Sequence, residues 1–279
     1  MKTLVFGGTG YLGSKVVKEL LKQNKSVCVF KRTHDYGFLA DVKNEVEFIT
    51  GDIHCVEEYL CDNQIDWILN FVGVYEKSGT DIAIIVQGNI MFELQLLNLA
   101  VKYNVTNFLT IDTGLPKNFN LYSFTKDKFN EFGKYYSHRY HINFYDIKLE
   151  MFYGKDEPNN RFLPLCVEKM KTNQTLELTE GTQQRDIMHI EDVVAAILAI
   201  MRSELKNYNE ISVGSGESHS IREIIEYMHE ISNSKSELRY GVIPMRHEEP
   251  NTKADLTILN SIGFQPKYDW KSGLKTLFE

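Results

Sequence analysis

The chain reads as an α/β fold: a doubly wound parallel sheet covered by helices, with a smaller α/β region at its C-terminal end. Three observations carry that expectation. Through the first half, short β-branched or aromatic runs alternate with amphipathic stretches, the pattern that generates parallel strands joined by helical crossovers. A glycine-rich turn lies between the first run and the first amphipathic stretch. Near residue 150 the rhythm changes, and later segments are shorter and mixed. A length of 279 residues suits one large domain or a domain with an annex. The boundaries read as 1–152 and 153–279, with 183–213 returning to the first domain.

Strands are expected at 3–6, 26–30, 46–49, 66–71, 107–111 and 143–149. Between them, 14–23 places Val16, Val17, Leu20 and Leu21 on one helical face, and 88–103 does the same with Ile90, Met91, Leu94, Leu97 and Val101. These faces should pack onto the sheet. Residues 154–160, Gly-Lys-Asp-Glu-Pro-Asn-Asn, form a loop. Beyond it, 190–202 reads as a strong helix, and Ser220-Ile221-Arg222-Glu223 has capping-box spacing ahead of Ile224, Ile225 and Met228.

Composition narrows the function classes. With 43% hydrophobic and 25% charged residues the chain is of globular type, and 31 basic against 38 acidic residues give a net charge of −7, which argues against a broad nucleic-acid footprint. No run approaches the roughly 18 uninterrupted apolar residues that cross a bilayer, and the N-terminus lacks the successive regions of a signal peptide. Cys28, Cys55, Cys61 and Cys166 show no CxxC pairing, so reduced thiols in a cytoplasmic protein are expected. His138 and His141 have no partner at ligand spacing, and no metal site is expected.

Gly7-Gly8-Thr9-Gly10-Tyr11-Leu12-Gly13 follows the first strand and opens the first helix. Glycines there permit a tight turn and let backbone N–H groups approach a pyrophosphate, whose charge the helix N-terminus favours. A Rossmann-type dinucleotide site follows, with Gly7, Gly10, Tyr11, Leu12 and Gly13 as its contacts. NAD-binding versions carry an acidic residue at the end of the second strand. Here that place holds Phe30-Lys31-Arg32-Thr33, and two cations suit a 2′-phosphate, so NADP(H) is expected; solvated side chains are the competing account. Asp52 and Ile53, after the third strand, are placed for an adenine contact, although a helix N-cap explains Asp52 nearly as well.

Tyr122 and Lys126 stand four apart at the start of a helix, so both project from one face. A neighbouring ammonium favours phenolate, and the spacing predicts a Tyr122 phenol brought down toward the working range.

With the glycine turn and this Tyr-x-x-x-Lys pair, the chain resembles the nucleotide-sugar branch of the extended short-chain dehydrogenase/reductase superfamily. The resemblance continues through Tyr153-Gly154, the block from Gly181 to Val193 containing Gln-x-Arg-Asp, Val213-Gly214-Ser215-Gly216-Glu217, and Arg246, Asp255, Gly263 and Pro266 in order. It implies that Thr113 orients the substrate oxygen beside Tyr122 and Lys126, with Asp112 as the alternative to Thr113. It also implies that Arg185 and Arg246, with Gln183 beside them, approach the diphosphate of a nucleotide sugar. Arg185 beside Asp186 also admits an internal ion pair, and Asn89 either lines the site or is structural.

The reaction is narrowed by what is missing. Family dehydratases follow the active-site Thr with Asp-Glu, where this chain has Gly114-Leu115; bifunctional epimerase/reductases place a Cys beside it; 4-epimerases carry the acidic residue at the second strand. His189 is then more readily a packed histidine than an acid. The segments 115–126 and 183–186 look most like the bacterial CDP-paratose and CDP-abequose synthases, which are 4-keto reductases. The resemblance implies NADPH-dependent reduction at C4 of a nucleotide-diphosphate 4-keto-6-deoxysugar in surface-polysaccharide sugar biosynthesis. Epimerase, dehydratase and non-catalytic NADP-sensor readings stand as alternatives. It further implies a homodimer through helices 88–103 and 122–140, and neither nucleic acid nor membrane as partner.

Overall fold

In the computed structural model, which describes residues 1–76 and 80–279, the chain begins β1 (Lys2–Phe6), α1 (Tyr11–Lys22), β2 (Ser26–Lys31), β3 (Glu47–Thr50), α2 (Ile53–Asp62), β4 (Trp67–Asn70), α3 (Ile82–Val86), α4 (Phe92–Lys102), β5 (Asn107–Thr113), α5 (Leu121–Tyr140) and β6 (Asn143–Leu149). It continues β7 (Met151–Tyr153), α6 (Phe162–Lys171), β8 (Leu176–Glu177), β9 (Gln184–Arg185), β10 (Ile187–His189), α7 (Ile190–Arg202) and β11 (Tyr208–Val213). The last elements are β12 (His219–Ser220), α8 (Ile221–Ser232), β13 (Leu238–Arg239), α9 (Thr257–Ser261) and α10 (Trp270–Lys275).

Two units result. The first comprises Met1–Lys148 and Ile200–Ile211. Its seven-stranded sheet has the order β11-β6-β5-β4-β1-β2-β3, with Phe6 beside Phe30 on one neighbour and beside Asn70 on the other. Parallel pairing buries both faces, which is why the runs are nearly all apolar. Leu4, Phe6, Cys28, Ile68, Phe108, Phe129 and Phe144 fill one core layer with Leu96, Leu97 and Ala100, each large side chain contributing roughly 1.5–3 kcal/mol. Strand order reverses at β1 and β4, so a crevice opens at the carboxyl ends of these strands.

Helices α3 and α4 are continuous through a π-helical turn, Gln87–Met91. Together they form one helix, Ile82–Lys102, long and apolar enough by length and composition to span a membrane. One face, with Leu96, Leu97, Leu99 and Ala100, joins the sheet core, while Ile82, Ile84 and Met91 are exposed; two polar residues, Asn89 and Glu93, are fully buried.

The second unit comprises Leu149–Ala199 and Ser212–Glu279. It contains three small pairings, β7 with β10, β9 with β12, and β8 with β13. Tyr153, Leu163, Cys166, Met170, Ile187, Ile224, Ile225 and Met228 form its core. Helix α8 opens in the capping box read from the sequence: Ser220 Oγ accepts from the Glu223 N–H at 3.1 Å, and Glu223 Oε2 accepts from the Ser220 N–H at 2.8 Å. The segment returning to the first unit is 200–211 rather than 183–213, because 184–189 form β9 and β10 within the second.

Candidate active site

The glycine turn leaves β1 with Gly7 in the left-handed region, at φ +71°. A Cβ on Gly13 would lie 2.4 Å from the Gly7 carbonyl oxygen, so only glycine lets α1 start this close to the strand. Gly10 is the N-cap of α1 and no side chain caps it, and the positive character of a helix N-terminus favours an anion there. Those two observations fit a dinucleotide. Gly7, Gly10, Tyr11, Leu12 and Gly13 would hold its pyrophosphate.

At the end of β2 the two cations part. Lys31 is buried, its Nζ donating to the Thr33 carbonyl at 3.0 Å and lying 4.7 Å above the Tyr36 ring. It is folded onto its own turn rather than presented to a 2′-phosphate. Arg32 is exposed. Asp52 takes the helix-cap role, accepting from the His54 N–H at 2.9 Å, and Ile53 opens α2 behind it.

Helix α5 starts in a second capping box, with Asn120 and Ser123 exchanging hydrogen bonds. That fixes the first turn and turns Tyr122 and Lys126 inward, at 6% and 1% exposure. Tyr75 stacks on Tyr122, ring centroids 4.3 Å apart. A Cβ on Gly73 would stand 3.3 Å from the Tyr122 hydroxyl oxygen, so the loop backbone after β4 runs against the phenol. Lys126 Nζ donates to Glu93 Oε1 at 2.6 Å and to Thr110 Oγ1 at 3.4 Å. Thr110 donates to Glu93 Oε2 at 2.9 Å and accepts from Asn70 Nδ2 at 3.3 Å.

This arrangement corrects the expected electrostatics. Burial first, then Tyr75, Asp112 and Glu93, push the Tyr122 phenol well above its ordinary value rather than below it. The ammonium meant to stabilise phenolate is already matched by a buried carboxylate. Burial likewise raises Glu93 against the pull of Lys126 and Thr110, and raises both Asp112 and Asp146, which also act on one another.

Thr113 ends β5. Its hydroxyl oxygen accepts from the Leu115 N–H at 3.2 Å, which leaves its proton to donate, while its own N–H donates to Asp112 Oδ1 at 2.7 Å. Asn89 is fully buried. Its amide is used internally, accepting from the Val74 N–H and donating to the Val74 carbonyl and to Thr125 Oγ1 at 2.7, 2.9 and 3.1 Å. It ties the loop after β4 to α5 and so helps set the wall against Tyr122.

In the second unit, Arg185 is paired, though not with Asp186. Its guanidinium donates to the Glu249 carboxylate and the Pro250 carbonyl, whereas Asp186 accepts from the N–H groups of Ser215, Gly216 and Ala254. Gln183 is half-buried with an unpartnered amide oxygen, and Arg246 is exposed. His189 packs edge-on to Tyr153, its Nδ1 accepting from the Glu191 N–H at 3.3 Å. Among the described residues no His/Cys/Asp/Glu group could hold a metal ion.

Glu93, Thr110, Asp146 and Tyr75 escaped the sequence reading. Only Glu93 left a trace there: it shares a helical face with Leu97 and Ala100, where a carboxylate demands a buried cation.

A parallel sheet with a glycine turn at its switch point and a buried Tyr-x-x-x-Lys pair defines the class of NAD(P)-dependent oxidoreductases to which this enzyme belongs. More narrowly, residues 3–214 match the NAD dependent epimerase/dehydratase family, and the chain belongs to it. It is 29% identical to the CDP-abequose synthase of Salmonella typhimurium, over 99% of this chain and 97% of that protein. It is 24% identical to a putative UDP-glucose 4-epimerase of Methanocaldococcus jannaschii, over 98% of this chain and 95% of that one. Its fold is shared with the UDP-glucose 4-epimerase of Thermotoga maritima, solved with UDP-glucose, at TM-score 0.89 and 20% identity, covering 100% of this chain and 97% of that one. The Thermus thermophilus UDP-glucose 4-epimerase, solved with NAD, gives TM-score 0.86 at 20% identity, covering 100% and 98%.

Proposed function

We propose that the protein reduces the C4 ketone of a nucleotide-diphosphate 4-keto-6-deoxysugar, with NADPH as reductant. One observation carries the reading most: the phenol of Tyr122 is buried against Tyr75 and the loop after β4, one helical turn from the buried ammonium of Lys126, the arrangement of a general acid for a former carbonyl oxygen. Similarity to a CDP-abequose synthase over nearly the whole chain supports it. NADPH supplies the hydride when bound. Tyr122 gives its phenolic proton to the oxygen at C4, and Thr113 donates a hydrogen bond to that oxygen. Lys126 spends two N–H groups on Glu93 and Thr110, and its third remains for a ribose hydroxyl. Arg32 is the cation offered to the 2′-phosphate. Gln183, Arg185 and Arg246 bind the substrate diphosphate, Arg185 by exchanging Glu249 for phosphate oxygens.

The protein acts in the cytoplasm as a homodimer. Supporting this, α5 exposes Phe132 and Tyr135 at an open depression lined also by Leu94, Asn98 and Tyr136 of α4 and α5; light scattering returning a monomer at micromolar concentration removes the dimer. The reaction is tested with NADPH and a panel of 4-keto sugar nucleotides. Loss of the reduced-nicotinamide absorbance is expected, and its absence with every panel member overturns the assignment.

A further inference from the structure

Helix α4 carries its one buried carboxylate to the ammonium of Lys126, one helical turn from Tyr122. Glu93 Oε1 accepts from Lys126 and Oε2 accepts from Thr110, the hydrogen-bond pattern that favours a carboxylate. Thr110 has no freedom to reverse, because its oxygen already receives Asn70 Nδ2 and Lys126 Nζ and its single proton goes to Glu93. Neither the Glu93 nor the Lys126 side chain is exposed, so water does not screen them and each sets the field of the other.

We propose that Glu93 is a positioning residue that neutralises Lys126 and thereby holds Tyr122 as a proton donor, biasing the site toward reducing a carbonyl and away from oxidising an alcohol. The proposal rests on the reductase reading and says why this site favours that direction. A route beginning with oxidation of a hydroxyl needs phenolate as a base, and phenolate here needs an unopposed ammonium. The groups acting on the phenol point the same way: Tyr75 stacks on it from the loop after β4, and the carboxyls of Asp112 from β5 and Glu93 from α4 oppose a negative charge on it, with Lys126 the cation one turn along its own helix. In the favoured direction the Tyr122 O–H bond breaks and its proton goes to the oxygen at C4.

The test is direct titration of Tyr122 by NMR of protein labelled at the tyrosine ring carbon bearing the hydroxyl, with Tyr122→Phe assigning the signal. Glu93→Gln removes the countercharge and keeps the shape. Its Tyr122 midpoint is expected to fall by about one pH unit or more relative to the unmutated protein, and Glu93→Asp, which restores the charge, to return it most of the way. An unmoved or rising midpoint in Glu93→Gln, or a Glu93→Asp variant no different from it, overturns the proposal. Should Glu93→Gln fail to fold, the double variant Glu93→Met/Lys126→Met replaces the pair by apolar groups. An unmoved midpoint supports cancellation of the two charges at the phenol, and a raised one shows that the ammonium had been acting on it and overturns the proposal. In turnover, Glu93→Gln is expected to lose reduction at lower pH than the unmutated enzyme and to gain in alcohol oxidation. A midpoint that falls in a protein reducing no 4-keto sugar nucleotide leaves the electrostatic coupling standing and removes the reaction.

Discussion

Removing Lys126 should be far more damaging than removing the whole ion pair. Lys126→Met leaves the Glu93 carboxylate without a counterion in a site where neither side chain is exposed and the two atoms stood 2.6 Å apart. Breaking one side of such a pair costs about 3–5 kcal/mol, whereas replacing both members by apolar groups of similar volume is neutral or stabilising. The penalty carries a pH signature. Burial raises Glu93 above the ordinary carboxylate range, and without Lys126 only the Thr110 hydroxyl still opposes that. The folded variant therefore keeps a proton that the unfolded chain releases, so its stability falls as pH rises from the ordinary glutamate pKa through the raised one. Urea unfolding in mildly acidic and mildly alkaline buffer measures this. The expected result is a large loss for Lys126→Met at alkaline pH, a smaller one in acid, and recovery in Glu93→Met/Lys126→Met. A loss below about 1 kcal/mol, the scale of an exposed pair, or a double variant as unstable as the single, would refute the reasoning.

Three further outcomes follow from the same geometry. Tyr122→Phe should lower turnover about 100- to 10,000-fold while NADPH affinity, measured by fluorescence titration, stays nearly unchanged. Arg32→Ala should cost roughly tenfold in the ratio of NADPH to NADH catalytic efficiency, the worth of a charge-assisted hydrogen bond, because Lys31 is committed to the Thr33 carbonyl and cannot replace it. Burial raises the Glu150 carboxyl to about 7; folded Glu150 thus holds its proton where unfolded Glu150 has lost it, and stability declines as pH rises through that window, by about 3 kcal/mol at most. Glu150→Gln should flatten that slope in thermal melts across pH 5–8, the range roughly spanning the two values.

Local rules were legible wherever a short stretch decides the outcome. The helix at 190–202 is apolar along one face and appears at those limits, and the Ser220 capping box is a four-residue event. The glycine turn is similar, although α1 begins at Tyr11, three residues before the expected start, because the turn itself supplies the N-cap. What escaped depends on contacts across many residues. Arg185 found Glu249 rather than its neighbour Asp186, since Asp186 was claimed by three backbone donors from 215, 216 and 254. Asn89 turned inward because a π-helical turn, invisible to a 3.6-residue period, surrounds it. The rise of the Tyr122 phenol was hidden for the same reason: spacing showed Lys126 one helical turn away, but not the carboxylate that β5 and α4 place against it.

The proton inventory beneath Tyr122 follows from that carboxylate. Glu93, Asp112 and Asp146 are all buried around one ammonium, and one positive charge cannot balance three negative ones in a medium that screens poorly. Lys148 offers little relief, because its Nζ is committed to Glu210 at 2.6 Å. Glu93 accepts at both oxygens, which favours its ionised form against its burial; Asp112 and Asp146 are both raised, burial being the first cause for each. Asp146 Oδ2 has no hydrogen-bond partner among the described residues. Asp112 and Glu93 both act on the phenol as negative groups. A negative field of that sign opposes a second negative charge on the Tyr122 oxygen, so the packing that buries these carboxyls also keeps the phenol protonated.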